Sequence, residues 1–363
     1  MKTVLFEHQH LYYLPQFLSI IMAMKNSGQY QVEASLTTGA NRLESTVFHQ
    51  VMNEMNIPII SQTNETARGL ELRNREYDII FVGNKGTIKR VAGRNSFVVM
   101  VYHGIGLKQS YYRDNAPRVD LRIIESKQRF DELHRQGHTN ISLCGFAKMD
   151  LLNMENRYLD SQWLSDLNLA EQGKTVILYA PTFYPSSVEK LLPYLSLLTE
   201  EYICIVKLHH FSWHLPKYRH HYVQARVLSE RYDNIYLAPP DQYNIIPFYK
   251  IADLLVTDIS STLFEFLTLN RPIIQSHFST RRLKHMVMPG LLSRRLDANR
   301  YREINFTYPL KNSCDLLTQI KMIADRNDPL ESKRKLAAKK YLYKTDARAA
   351  ERILVEIEKH FDS

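Results

Sequence analysis

The sequence has few of the residues that indicate a disulfide-stapled, zinc-ribbon or fibrous protein. Its 363 residues include only 3 cysteines, 12 glycines and 14 prolines. The cysteines are far apart and form no Cys-x-x-Cys pair, so neither a disulfide framework nor a structural zinc is expected, and a reducing compartment fits. With 44% hydrophobic and 23% charged residues and no low-complexity tract, the composition is that of a globular chain.

Long apolar runs are also missing. Near the N-terminus the longest run, residues 17–24, includes a serine, and it falls well short of the roughly 18 apolar residues of a spanning helix. Glu7 and His8 stand where a signal peptide would continue its apolar core. We therefore expect a cytoplasmic protein without a spanning segment, able to attach peripherally to the inner face of a membrane.

Acidic residues are outnumbered by basic ones, 38 to 47, which gives a net charge of +9. Such an excess favours an anionic partner: a nucleotide, a nucleic acid or an acidic membrane surface. The basic residues are scattered apart from two groups, at residues 281–285 and 333–340, and neither group is interleaved with aromatic residues. Solvated helix faces explain both groups better than a nucleic-acid platform does, so no nucleic-acid partner is expected.

Short apolar stretches alternate with helical ones along the chain. Strands are expected at residues 3–6, 32–36, 57–60, 79–82, 97–101, 121–124, 141–144, 175–179, 202–206, 235–237, 254–256 and 273–274. Helices are expected at residues 14–27, 48–52, 127–136, 188–198 and 222–231, then throughout the region after 276, ending with a helix at 347–361 capped by Thr345 or Asp346. This alternation implies βαβ units and largely parallel sheets, hence an α/β fold.

A polar, helical interval at residues 149–173 separates two such series. We expect two doubly wound, Rossmann-like domains at residues 1–160 and 161–345, followed by a C-terminal helix at 346–363 able to cross back to the first domain. Ligands of such sheets bind beyond the carboxyl ends of the strands. The expected site is therefore a central cleft between the two domains.

The stretch TDISSTLFEF, residues 257–266, predicts a strand that ends in a hydroxyl-rich turn and then a short helix. Helical N–H groups and the helix dipole favour an anion at such a turn, which suits a phosphate. The polar side chains of the turn are Asp258, Ser260, Ser261 and Thr262. An ordinary helix cap explains these residue types equally well. Glu265, one helical turn beyond Ser261, could accept hydrogen bonds from ribose hydroxyls.

Three other segments lie where strands should end. In YHGIGLK, His103 should project from a strand end, followed by Gly104 and, further on, Lys108. A neutral imidazole there can accept a hydroxyl proton, although a structural, hydrogen-bonded histidine is the commoner case. Thr182, after the strand that ends in YAP, is a weak signal when taken alone.

The segment KLHH places a cation and two imidazoles after a strand. Lys207 and His209 alternate onto one face and could hold one phosphate together, and His210 follows them. Zinc is disfavoured, since His209, His210 and His214 have no nearby carboxylate and neither HExxH nor CxxC occurs. No metal site is therefore predicted.

Taken in order, these motifs resemble the CDP-glycerol glycerophosphotransferases that build teichoic acids and related capsule polymers. That family carries WHGTPLK, YAPTWR, KLHP and TDYSS, then an acidic residue and a KPII-like strand, with DGKASER near the end. The corresponding segments here are YHGIGLK at 102–108, YAPTF at 179–183, KLHH at 207–210, TDISSTLFEF at 257–266, NRPII at 270–274 and TDARAAER at 345–352.

The resemblance implies a GT-B fold, with an N-terminal acceptor domain and a C-terminal nucleotide-donor domain, and a metal-independent transferase without a cofactor. It implies two catalytic histidines: His103 as the base on the acceptor hydroxyl, and His209, which would hold the donor pyrophosphate. The donor-binding set it implies is Lys207, Thr182, Asp258, Ser260, Ser261, Thr262 and Glu265. The remaining cleft positions are Gly104, Lys108, His210 and Arg348.

Several positions depart from the family motifs. The Thr-Pro after His-Gly is Ile105-Gly106 here, the Trp-Arg after Pro-Thr is Phe183-Tyr184, and the Tyr of TDYSS is Ile259. These departures leave alternatives for the donor: a GT-B glycosyltransferase using a UDP- or CMP-sugar in capsule or lipopolysaccharide synthesis fits the same pattern. A UDP-sugar 2-epimerase would need catalytic carboxylates, of which there is no convincing set. A non-catalytic nucleotide-binding module is a further alternative.

The expected function is transfer of glycerol phosphate, or a related polyol phosphate, from a CDP-activated donor to a hydroxyl of a cell-surface glycopolymer or lipid-linked acceptor, with release of CMP. The expected partners are that donor, that acceptor and an anionic membrane surface.

Overall fold

The computed structural model describes residues 1–107, 109, 112, 116, 118–154, 161–282, 297–324 and 328–361. The chain divides into two compact units. The first consists of Met1–Ile105, Tyr111–Asp160 and Lys339–Ser363, and the second of Gly106–Ser110 and Ser161–Ala338.

The first unit contains a parallel six-stranded sheet with strand order β2-β1-β3-β4-β5-β6. Its strands are β1 (Lys2–His8), β2 (Tyr30–Leu36), β3 (Ile79–Val82), β4 (Phe97–Val101), β5 (Leu121–Ile124) and β6 (Ile141–Leu143). The strands β3 and β4 consist of apolar residues and are buried along their whole length, as parallel strands with both faces covered are.

Helices connect these strands. They are α1 (Leu14–Ser27), α2 (Arg42–Glu54), α3 (Glu65–Asn74), α4 (Ile88–Val91) and α5 (Lys127–Arg135), and a 3-10 turn covers Ala147–Asn153. Local sequence explains their ends. The helix α1 has a proline in its first turn and ends at Gly28, whose φ of 68° suits glycine, and Asn41 and Glu44 form a capping box at α2.

The second unit contains another parallel six-stranded sheet, with strand order β12-β11-β10-β7-β8-β9. Its strands are β7 (Thr175–Tyr179), β8 (Tyr202–Val206), β9 (Ile235–Leu237), β10 (Leu254–Thr257), β11 (Ile273–Ser276) and β12 (Tyr308–Leu310). The helices that follow residue 161 are α6 (Gln162–Asp166), α7 (Val188–Leu195), α8 (His210–His214), α9 (Arg219–Arg231), α10 (Ile246–Ile251), α11 (Thr262–Glu265), α12 (Ala298–Arg302), α13 (Leu316–Ala324) and α14 (Glu331–Tyr341).

The last helix, α15 (Ala349–Phe361), belongs to the first unit. Its first two amides, of Ala349 and Ala350, donate to the carboxylate of Asp150 in the 3-10 turn, at 3.1 and 2.8 Å. A carboxylate at a helix N-terminus satisfies amides that have no partner within the helix. Of the two residues expected to cap this helix, Asp346 accepts only from the amide of Arg348, just before the helix, at 3.2 Å. The first two amides of the helix are bound instead by a residue about 200 positions earlier in the chain.

The predicted α/β fold with largely parallel sheets is confirmed, and two of the predicted elements are wrong. Residues 57–60 contribute a single bridge, between Ala34 and Ile59, instead of a strand. The region after residue 276 contains β12 as well as helices, and Pro309 lies inside that strand. Proline is tolerated there because β12 is at the edge of its sheet, where an N–H is not needed for the ladder. Within the described ranges, the helices are all too short or too polar to cross a membrane.

Candidate functional site

His103 follows the carboxyl end of β4 in the first unit, and a neighbouring backbone group sets its tautomer. Its Nδ1 lies 3.0 Å from the carbonyl oxygen of Gly83, the residue after β3. A carbonyl oxygen can only accept, so Nδ1 carries the proton and the lone pair of the neutral ring is on Nε2. This is the form of histidine that can take a proton from a substrate hydroxyl.

Aromatic packing orients the ring of His103. The Tyr13 ring stacks on it with centroids 4.6 Å apart and an interplanar angle of 15°, and Tyr12 meets it edge-on at 5.9 Å. Gln16 Nε2 donates to the His103 carbonyl oxygen at 3.0 Å, which holds the backbone as well. A Cβ on Gly83 would lie 2.8 Å from Tyr13, so the glycine is needed for the tyrosine to reach the histidine.

The rest of the HGIGLK segment is described in part. Gly104 is buried directly after His103, and Lys108 lies outside the described residues. Gly106, in the second unit, has a φ of 102°, and a Cβ there would overlap the ring of Phe264. A proline, with φ fixed near −65°, cannot adopt this conformation. Backbone geometry thus explains why this chain lacks the proline of the related motif.

His209 holds the corresponding position in the second unit, three residues after β8, and it has the opposite tautomer. It is the N-cap of α8, and its Nδ1 accepts a hydrogen bond from the Phe211 amide at 3.1 Å. An amide can only donate, so the lone pair is on Nδ1 and the proton of the neutral ring is on Nε2. His209 is therefore arranged to donate a hydrogen bond through Nε2, as binding of a phosphate oxygen requires.

Lys207 and His210 flank this histidine. Lys207 is half-buried, with its Nζ 5.8 Å from the centroid of the Phe248 ring, and its amide donates to the Tyr179 carbonyl oxygen at 2.9 Å. His210 is the first residue of α8, and its ring lies 4.3 Å from that of His214.

Asp258, directly after β10, connects two strand ends. Its carboxylate accepts from the Thr182 amide at 2.8 Å and from the amide and hydroxyl of Ser187 at 2.9 and 3.0 Å. The side chain is 1% exposed. Burial raises the pKa of Asp258 to about 6 although the hydrogen bonds from Thr182 and Ser187 act in the opposite direction. Asp258 thus holds residues 182–187, the segment after β7, in place.

The three hydroxyls of the turn differ in their surroundings. Thr262 Oγ1 pairs with Thr257 Oγ1 at 2.9 Å and approaches the Ala180 carbonyl oxygen at 3.5 Å, so it faces the sheet. Ser260 Oγ accepts from the Thr262 amide at 3.4 Å. Ser260 and Ser261 are both half-buried.

Glu265 and Arg348, two other predicted site residues, each have a side-chain partner. Glu265 is 1% exposed, and its Oε2 accepts from the hydroxyl of Tyr249 at 2.9 Å. Its predicted contact with a ribose stays a prediction. Arg348 belongs to the first unit, is exposed, and donates through Nε to Glu351 at 2.7 Å, which raises its pKa.

Sequence reasoning missed an arginine beside the 182–187 segment. The Arg282 guanidinium lies 4.5 Å from the centroid of the Tyr184 ring and 5.1 Å from that of Tyr218, and its amide donates to the Tyr184 hydroxyl at 3.1 Å. The Tyr218 ring packs edge-on against Phe183, which in turn lies 4.7 Å from the ring of His209. The only signal in the sequence was the basic group at 281–285. Its contact with Tyr184 could not be predicted, because the two lie nearly 100 positions apart in the chain.

Comparison with known proteins places these residues in a family. The sequence profile of the family described as CDP-glycerol:poly(glycerophosphate) glycerophosphotransferase matches residues 90–359. The chain belongs to this family. The matched span includes all of the predicted site residues, from His103 to Arg348, so the resemblance carried by the motifs is confirmed.

Two curated relatives are similar to part of the chain. The teichoic acid glycerol-phosphate primase of Bacillus subtilis is 34% identical over 109 residues, 28% of this chain and 26% of that protein. The teichoic acid poly(glycerol phosphate) polymerase of Bacillus spizizenii is 29% identical over 141 residues, 36% of this chain and 33% of that protein. The alignments therefore span about a quarter to a third of the length of these relatives.

Solved structures show the fold. The wall teichoic acid polymerase TagF has a TM-score of 0.69 and 16% identity, covering 99% of this chain and 89% of that chain. A UDP-N-acetylglucosamine 2-epimerase has a TM-score of 0.63 and 16% identity, covering 100% of this chain and 96% of that chain. The expected GT-B-like fold is confirmed. Because proteins with different activities share it, the fold alone does not decide the reaction.

Proposed function

We propose that this protein transfers glycerol phosphate, or a closely related polyol phosphate, from a CDP-activated donor to a hydroxyl of a cell-surface glycopolymer or lipid-linked acceptor. The family to which the chain belongs supports this proposal. The observation that carries it is the opposite hydrogen bonding of His103 and His209. One ring is arranged to accept a proton and the other to donate a hydrogen bond, as transfer of a phosphoryl group to an alcohol requires.

In the proposed reaction the acceptor hydroxyl gives its proton to Nε2 of His103. The acceptor oxygen forms a bond to the phosphorus next to glycerol, and the bond from that phosphorus to the bridging oxygen breaks. CMP leaves with that oxygen and the electron pair of the broken bond. The Nδ1–H bond to Gly83 stabilises the imidazolium, because a charged ring donates more strongly to a carbonyl oxygen.

In the second unit, the proposed donor site combines His209 Nε2–H, the ammonium of Lys207 and the hydroxyls of Ser260 and Ser261. Negative charge grows on the leaving phosphate, and preorganised donors that need no reorientation stabilise it most effectively. We propose that these groups do so without a metal ion at the donor phosphates. Asp258 acts indirectly, by positioning the 182–187 segment, because its carboxylate accepts hydrogen bonds from the Thr182 amide and from Ser187.

The proposed setting of the reaction is the inner face of the cell membrane. The support is electrostatic: a net charge of +9 favours an anionic surface and an anionic polymer.

Arg282 supplies a cation beside the 182–187 segment, where it lies against the Tyr184 ring. The related motif has an arginine at the position that Tyr184 occupies here.

The test uses the purified full chain with CDP-glycerol, CDP-ribitol and a panel of UDP-sugars, each with a glycerol-phosphate-primed lipid acceptor. We expect release of CMP from a CDP-polyol donor in amounts equal to the polyol phosphate transferred, unchanged by a chelator. Release of UDP from a sugar donor, without CMP from CDP-glycerol, contradicts the proposal and favours a glycosyltransferase. Binding of the donors without turnover by any of them favours a nucleotide-binding module.

A further inference from the structure

Three side chains on α7 and α9 converge on one point of the second unit. Glu189 Oε1 lies 2.9 Å from Nε2 of His220 and 3.0 Å from Nε2 of His221. One ligand atom from each residue lies within 4.8 Å of the other two. The group includes none of the residues of the proposed donor site.

The hydrogen bonding of Glu189 is incomplete. Its Oε1 accepts from both imidazoles, whereas its Oε2 is buried and has no hydrogen-bond partner among the described residues. A buried carboxylate oxygen without a partner is costly, and a cation bound by this carboxylate would offset that cost.

A neighbouring residue already orients one of the histidines. His221 is 1% exposed, and its Nδ1 lies 3.0 Å from the hydroxyl of Ser212 in α8, which is also 1% exposed. Metal-binding histidines usually make such a bond through the second ring nitrogen, since it fixes the tautomer and the plane of the ring. Ser212 in turn donates its amide to the His209 carbonyl oxygen at 2.8 Å, so the group is joined to the start of α8.

We propose that Glu189, His220 and His221 bind a divalent transition-metal ion of the zinc type. The ligands are the Glu189 carboxylate and the Nε2 atoms of both histidines, and a fourth position is open to water. Two imidazoles and one carboxylate suit zinc, cobalt or nickel, whereas magnesium and calcium prefer oxygen ligands throughout.

The three ligand atoms already lie within 4.8 Å of one another. Ligands about 2.1 Å from a tetrahedral ion stand roughly 3.4 Å from one another, and the Glu189 oxygen is already 2.9 and 3.0 Å from the two nitrogens. On binding, each neutral imidazole exchanges its Nε2 proton for one on Nδ1 through solvent. His221 Nδ1–H then donates to the Ser212 hydroxyl oxygen, and the serine changes from donor to acceptor.

The ion would connect α7 to α9, and each of these helices follows a segment of the proposed donor site. Glu189 comes two residues after Ser187, which Asp258 binds, and α9 follows the segment that carries Lys207 and His209. The metal therefore stabilises the second unit and takes no part in the transfer chemistry.

The test is titration of Zn²⁺ and Co²⁺ into tag-free, chelator-stripped full-length protein at neutral pH. We expect one equivalent to bind by calorimetry, a tetrahedral Co²⁺ absorption spectrum, and a higher Tm on adding Zn²⁺. His220→Ala removes a partly exposed ligand and should weaken binding by about 100-fold or more, since loss of even an outer-shell partner of a metal ligand costs 10–100-fold. Glu189→Gln should weaken it comparably.

His214→Ala is the matched control, because it removes one histidine of another close pair in this unit, His210 and His214 on α8, whose rings are 4.3 Å apart. It should bind Zn²⁺ as the unchanged protein does. The metal-free Tm of His220→Ala should equal that of the unchanged protein, which separates loss of a ligand from misfolding. Absence of binding overturns the proposal. Binding that is lost in His214→Ala and kept in His220→Ala overturns it as well.

Discussion

The two histidines at strand ends, His103 after β4 and His209 after β8, have the same side chain in similar positions and opposite hydrogen bonding. In the first unit a carbonyl oxygen from the neighbouring strand end accepts a hydrogen bond from Nδ1–H. In the second unit the histidine caps the helix that follows, and a backbone amide occupies the Nδ1 lone pair. Residue type therefore does not decide what such a histidine can do. The nearest backbone group decides which nitrogen accepts and which donates.

The largest effect is expected from His103→Ala. Loss of the proposed base should lower kcat by about 10²–10⁴-fold and leave the KM for the donor within a factor of two or three. The measurement is steady-state CMP release at saturating acceptor. Gln16→Ala removes only the hydrogen bond to the His103 carbonyl oxygen, so it should lower kcat less. Full turnover by His103→Ala would show that the base is another group.

The second comparison is between His209→Ala and His209→Asn. Asparagine can still cap α8 through its side-chain oxygen, so it keeps the structural role and loses the Nε2–H donor. Both variants should lower kcat by about 10²–10³-fold, the usual effect of removing one donor to a transition-state oxyanion. Only the alanine should also lower stability, by about 1 kcal/mol.

The two tryptophans, Trp163 and Trp213, both lie in the second unit, so unfolding followed by tryptophan fluorescence reports that unit alone. Equal stability of the His209→Ala and His209→Asn variants in denaturant would contradict the capping role. Wild-type kcat in the asparagine variant would contradict the role of Nε2–H as a donor.

A smaller effect is expected from the hydroxyl turn. Ser260→Ala combined with Ser261→Ala should raise the KM or Kd for the donor by about tenfold or more, as loss of hydrogen bonds to a charged group predicts. Thr262→Ala is the control, because its hydroxyl pairs with Thr257 and faces the sheet. It should change stability more than donor affinity. Calorimetric donor titrations of the three proteins separate these outcomes, and an unchanged Kd in the double variant contradicts the assignment.

The last prediction concerns stability instead of activity, at Asp258, whose pKa burial raises to about 6. Its folded-state pKa is above the unfolded value, so the folded state holds the proton between about pH 4 and pH 6 while the unfolded state has lost it. The contribution of this group to stability therefore decreases as the pH rises through that window, by at most about 1.4 kcal/mol per pH unit.

Asp258→Asn removes this titration. The free energies of unfolding of wild type and variant are measured by tryptophan fluorescence in urea at pH 4, 5, 6 and 7. The stability of wild type relative to the variant should decrease up to pH 6 and then level off. A difference that is constant with pH would show that Asp258 titrates near its ordinary value.

The sequence predicts the strands well and the contacts between their ends poorly. The bounds of β3, β4 and β8 agree with prediction because they are short runs buried along their whole length in parallel sheets. The bonds that Asp258 makes join residues more than 70 positions apart, and the tautomer of His103 depends on a carbonyl 20 positions away. Local patterns carry no information about such pairings. The edge strand around Pro309 was missed for a related reason, since only its place at the edge permits proline.

The attachment of α15 to Asp150 has a consequence for how the protein is made. The second unit is nearly contiguous in the chain, whereas the first unit needs residues 339–361, which are synthesised after the second unit. Ile353 and Ile357 of that helix are fully buried, so the hydrophobic core of the first unit is incomplete until they are synthesised. On the ribosome, the second unit can therefore finish folding before the first, because the earlier part of the chain still lacks α15.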